Sequence, residues 1–142
     1  MESQYAPTGI DPEAVAKLGE LVRAHPNSLE AWVALSNAYI SENVMYSPEQ
    51  KCLCSPPIDH PLGYAKAIVV AREIARRWPD HYRSWWVLSY NLFWYANAVR
   101  GAGYWRDVPE SNKRRFNDLM ALGDDCLFEA IRLHPYKRFA LR

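Results

Sequence analysis

Cysteine is scarce in this chain. Three cysteines among 142 residues form an odd, sparse set that builds no disulfide framework. A reducing compartment suits that usage, and a cytoplasmic location is expected. Charge of one sign is also lacking: the net charge is +1, so no global field gathers nucleic acid or an anionic surface. Charges interrupt every apolar stretch well before the length of about 18 residues that would predict a membrane span. The opening residues MESQYAPTGIDPEA carry no basic region followed by an apolar run, so they do not read as a secretory signal. A glycine-rich phosphate loop, a nucleophile elbow and a histidine–glutamate metalloprotease motif are missing as well. The expectation is therefore a protein that is not an enzyme and carries no cofactor.

What the chain does have is aromatic surface with polar handles: six Trp and nine Tyr against four Phe. Such side chains favour half-wet positions, where the ring is covered and the N–H or O–H finds a partner. Nearly half of the residues are apolar, enough for one continuous core, and 142 residues fit a single domain.

Apolar spacing predicts five helices, over about 12–25, 28–42, 62–78, 80–99 and 111–134. Asp11-Pro12-Glu13 is a helix start, with a capping acid and proline in the first turn. Val15, Leu18, Leu21 and Val22 follow at helical spacing, and His25-Pro26 stops the run. Asn27 is expected to open the second helix, with Glu30 completing a capping box. Asp80 is expected to cap the fourth. Two irregular insertions, about 43–61 and 100–110, separate the second helix from the third and the fourth from the fifth; the first holds Pro48, Pro56, Pro57 and Pro61. The fourth helix is apolar almost all round, which predicts burial on more than one side or a face offered to a partner.

The helix-ending prolines set a repeat. Pro26 is followed by Trp32, Leu35 and Ser36, and Pro79 by Trp85, Leu88 and Ser89, at identical offsets. Pro135 starts a third copy, with Leu141 at the Trp offset. The three prolines stand 53 and 56 residues apart. This pattern resembles the tetratricopeptide repeat, whose units of about 34 residues read W-x2-L-G-x2-Y in the first helix and close on proline. Trp32-Leu35-Ser36-Tyr39 fits that first half, and Trp85-Leu88-Ser89-Leu92 fits it with Leu at the Tyr position. Ala67, Ala71, Ile74 and Pro79 fit the second half, as do Leu127, Ala130 and Pro135, and Ala14, Leu18, Leu21 and Pro26. The units here are longer by about 20 residues than the family's, and the surplus falls in the two insertions. The Arg100-Gly101-x-Gly103-Tyr104 segment also resembles uncharacterised bacterial proteins with tetratricopeptide-like helices.

The resemblance implies an all-α fold: antiparallel helical hairpins stacked as a short α-solenoid, with the first helix of each pair lining a groove. By position, those faces are Glu30, Val33, Asn37, Ile40 and Ser41, then Arg83, Trp86, Tyr90, Phe93 and Trp94. The expected partner is a protein or peptide segment, with Asn37, Arg83, Trp86, Tyr90, Phe93 and Trp94 as the binding residues and Arg83 meeting a carboxylate. The alternative for the rings is core filling. Some family members clamp a C-terminal carboxylate with Lys, Asn and Arg. Here Val33 and Val87 replace two clamp residues, and that subclass is rejected. Cys52, Cys54 and His60, with Asp59, are donor types that suit zinc, but their spacing matches no strong signature, and a proline-rich loop with free thiols is the expectation. His25, His81 and His134 flank the helix-ending prolines and read as structural. Lys113-Arg114-Arg115 and the Arg72, Arg76, Arg77 set are basic clusters without the charge excess that nucleic acid requires.

An adaptor or scaffold is thus the function expected. A small structural or immunity-type subunit of a larger complex, and a ligand-binding domain or enzyme, stand as alternatives. Stacked arrays need about three repeats. With two full pairs, the chain reads as ordered by a partner or as a fragment of a longer array. No oligomeric state is assigned.

Overall fold

The computed structural model describes residues 6–7, 12–41, 45–47, 52–54, 62–101 and 103–137. The fold is all-α. Five helices account for most of the described residues: α1 Pro12–Ala24, α2 Leu29–Ser41, α3 Leu62–Arg77, α4 Tyr82–Arg100 and α5 Glu110–Leu133. A 3-10 turn, Trp105–Asp107, joins α4 to α5. Three short strands, β1 Ala6–Pro7, β2 Met45–Ser47 and β3 Cys52–Cys54, form an antiparallel ladder in the order β1-β2-β3. Ala6 pairs with Tyr46, and Tyr46 with Leu53. The sequence pattern gave no element in 43–61, because strands of three residues are too short to display a period of two. Asp11, Asp59, His60 and Leu141 lie outside the described residues.

Each proline that ends a helix makes the same turn. The N–H of Ser28 donates to the carbonyl of His25 at 3.0 Å, that of His81 to Trp78 at 3.2 Å, and that of Lys137 to His134 at 3.1 Å. In all three cases proline occupies the second turn position, where its fixed φ is already correct. The indole then closes the joint: Trp32 Nε1 donates to the Pro26 carbonyl at 2.9 Å, and Trp85 Nε1 to the Pro79 carbonyl at 2.8 Å. The helix caps fall one residue later than Asn27 and Asp80, the residues expected to cap. Ser28 Oγ accepts from the N–H of Ala31 at 3.3 Å, and His81 Nδ1 from that of Arg83 at 3.2 Å. The turn uses Asn27 and Asp80 as its third residue, so the cap passes to its fourth. Glu30 turns to Arg83 rather than back to its own helix.

Consecutive helices pack on one another, and α2 also touches α4. The main core lies among α2, α3 and α4. Val33, Ile40, Ile68, Ile74, Val87, Leu88, Leu92 and Val99 are buried there, with Tyr64 stacked on Tyr95 at 5.9 Å. Ala67 and Ala71 are fully buried, and small residues there let neighbouring backbones approach. A polar link crosses this core. Ser36 Oγ donates to the Ala67 carbonyl at 2.9 Å, and Asn91 Nδ2 reaches both Ser36 Oγ and, at 3.4 Å, the same carbonyl. One hydroxyl and one amide thereby fix the register of three helices, since a slipped pairing would strand buried polar atoms. Val22, Ala31 and Leu35 form a smaller cluster between α1 and α2.

Helix α5 seats along α4 through Gly123, Leu127 and Ala130. Gly123 makes room for an α4 side chain: a Cβ there would overlap the ring of Phe93. The near-uniform apolarity of α4 therefore follows from its position between α3 and α5 with α2 alongside. No helix among the described residues is long and apolar enough to cross a membrane.

Candidate binding surface

One face of α4 is only partly covered by neighbouring helices. Trp86, Tyr90 and Trp94 recur every fourth residue and so share a face. Trp86 stacks on Tyr90 with centroids 5.5 Å apart and planes 21° apart, and Tyr90 meets Trp94 edge to face at 6.2 Å. The two indoles lean partly on the main core, while Tyr90 stays 37% exposed. The result is a continuous aromatic stripe, apolar in its body and carrying N–H and O–H groups.

The other expected groove residues separate into distinct roles. Phe93 is half-buried in the α4–α5 packing over Gly123. Arg83 pairs with Glu30, which stands at the same offset from Pro26 as Arg83 does from Pro79. Matching positions in the two units are thus joined by charge, and a ligand carboxylate at Arg83 would share the guanidinium with Glu30 or displace it. Asn37 is half-buried on α2. Val33 and Ile40 belong to the main core, so α2 offers less surface than the resemblance implies. Ser41 ends α2, and its side chain lies outside the described residues.

The basic clusters are largely engaged. Arg76 and Arg77 both bond to Glu73, and these bonds, Arg76 foremost, hold its carboxyl at about 2. Arg77 also lies over the Trp32 ring at 4.8 Å and donates to the Pro26 carbonyl at 3.2 Å. Arg115 bonds to the Tyr95 hydroxyl and covers its ring at 5.1 Å. His81 stacks on Tyr82 at 5.1 Å, and Tyr82 meets His134 edge to face at 4.8 Å, which ties the start of α4 to the end of α5. Burial, with help from Asp125, pushes the Cys126 thiol up to about 11, so it stays protonated and inert at neutral pH. Among the described residues, no group of three or more His, Cys, Asp or Glu side chains converges as for a metal. Cys52 and Cys54 lie on β3.

A second aromatic surface was not legible as such in the sequence. The turn after α4 exposes Tyr104 at 71% and Trp105 at 39%. Arg106 lies over the Tyr104 ring at 5.1 Å, while Lys113 and Arg100 lie over Trp105 at 5.6 and 6.0 Å. Trp105 also meets Phe116 edge to face at 5.3 Å. The available signal was the run Tyr104-Trp105-Arg106 following two glycines with positive φ, Gly101 and Gly103. Rings on such a turn have little backbone around them to cover them.

No protein-family model matches this chain, and no curated protein or solved structure matches it either.

Proposed function

We propose that this chain is a protein-binding adaptor of the tetratricopeptide-like kind, working in the cytoplasm without enzymatic chemistry, and that the Trp86–Tyr90–Trp94 stripe receives an apolar or aromatic peptide segment. The architecture supports that reading. Taken as pairs, α2 with α3 and α4 with α5 are hairpins whose first helices touch each other and are linked by Glu30 and Arg83. The three proline turns and the two indole closures repeat at the intervals of the sequence motif.

The stripe carries the functional part. A helix already packed on α3, α5 and α2 needs no further aromatic surface for its own burial, and yet Tyr90 remains open between two indoles. Rigid rings with polar tips gain contact area at low cost in side-chain entropy, which is why Trp and Tyr dominate binding hot spots. Selection from a displayed peptide library would recover ligands rich in aromatic or large aliphatic residues. The double substitution Trp86→Ala, Tyr90→Ala is expected to abolish their binding while leaving the helical circular-dichroism signal and a cooperative melt. Global unfolding of that variant would assign the rings to the core and reject the stripe as a binding surface.

The alternative, a subunit that completes a larger assembly, draws on α5. Its residues Leu122 and Phe128 are 48% and 64% exposed. Light scattering on the purified chain tests it: a concentration-dependent oligomer whose melting temperature rises with concentration favours this reading.

A further inference from the structure

We propose that the turn between α4 and α5 is a second docking surface, built to take an acidic peptide segment of a partner protein. Residues 103–107 are all exposed, and the buried Val108 anchors the turn behind them. Tyr104 thus stands in water and Trp105 is only partly covered, with Phe116 against it, so the two adjacent rings make an apolar pair that folding leaves unburied. Arg100, Arg106 and Lys113 lie over their rings, and Arg114, next in sequence to Lys113, is exposed. The nearby carboxylates are Asp107 and Glu110, and Lys113 engages Glu110 at 3.3 Å. In a chain whose net charge is only +1, the turn is a local concentration of positive charge on an aromatic base.

The geometry selects among anionic partners. Nucleobase stacking would have to compete with the cation that already lies over each ring. An anionic bilayer would need a broader apolar face than two rings, and its flat headgroup layer would press on exposed Asp107 and Glu110 as well. An extended acidic segment meets neither obstacle. Its carboxylates can reach the Arg106 and Arg114 guanidiniums, which bind carboxylate in pairs of parallel bonds, while an adjacent apolar side chain lies against the ring edges. The inference does not rest on the α4 stripe, because none of the residues named here belongs to it.

The test is fluorescence anisotropy with a fluorescein-labelled peptide in which Asp and Glu alternate with Leu and Phe, at low and at physiological salt. Wild-type protein is expected to bind it, more weakly as salt rises. Arg106→Glu, and separately Tyr104→Ala with Trp105→Ala, are each expected to weaken binding about tenfold or more. Should the double variant fail to fold, Arg106→Glu decides alone, since it reverses one exposed charge and removes no buried group. Three results overturn the proposal: no binding by the wild type, unchanged binding by Arg106→Glu, or tighter binding of a single-stranded RNA or of phosphatidylserine vesicles than of the peptide. Retained peptide binding in the Trp86, Tyr90 double variant would separate this surface from the stripe.

Discussion

Two guanidiniums converge on Glu73, and the direction of its shift sets a pH dependence. Bonds from Arg76 and Arg77 lower its carboxyl from the ordinary range to about 2. A carboxyl depressed in the folded state adds stability wherever it is ionised in both states. That contribution is complete above its ordinary value and fades as the pH falls toward the folded value. Glu73→Gln should therefore melt below the wild type at about pH 6, and the gap should close as the pH approaches about 2. The difference will be modest, because the cluster is at the surface and water screens it; a gap that persists in acid would disprove the assignment. At the same scale, Arg83 already meets a carboxylate of its own chain, that of Glu30. Sequence shows a cation on a helix face, but not that Glu30, 53 residues earlier, reaches it across two helices.

At the scale of the element, helix positions were legible to within two residues, because apolar spacing marks each helix and proline closes three of them. The caps were not, since a capping residue is recognised by type and Asn27, Ser28, Asp80 and His81 stand side by side. Phe93 was misplaced for a related reason. Its ring faces a glycine 30 residues away on α5, and glycine leaves no side-chain pattern to read. Gly123 supplies a sharp test. Replacing an exposed mid-helix glycine with alanine gains about 1 kcal/mol. Here the added methyl meets the Phe93 ring, and Gly123→Ala is expected to lose about 1–3 kcal/mol in urea unfolding. Adding Phe93→Leu should recover much of that loss, which identifies the clash as the cause. Trp86, Tyr90 and Trp94 were among the groove residues expected, but Arg83 and Phe93 were placed on the same face, because an all-apolar helix does not show which face its neighbours leave open.

Across the whole molecule, the recurrent joint is the ordering principle. Trp32 and Trp85 occupy equivalent places and close equivalent turns. Trp32→Phe and Trp85→Phe each remove one indole bond and keep an aromatic body, so each should cost about 1 kcal/mol. Trp32 should be the costlier, because its ring also carries Arg77. The two sites have separate partners, so the double variant should show the sum to within about 0.5 kcal/mol in chemical denaturation. A strong departure from that sum would mean that the joints are coupled through the core. The three identical proline turns also bear on how such a chain can change over evolutionary time. An in-frame tandem duplication of the segment between two of these prolines would begin and end on a hinge the protein already uses. The copied segment would bring its own indole latch and meet a familiar socket on either side. Growth by gene duplication would then need no new joint to be invented.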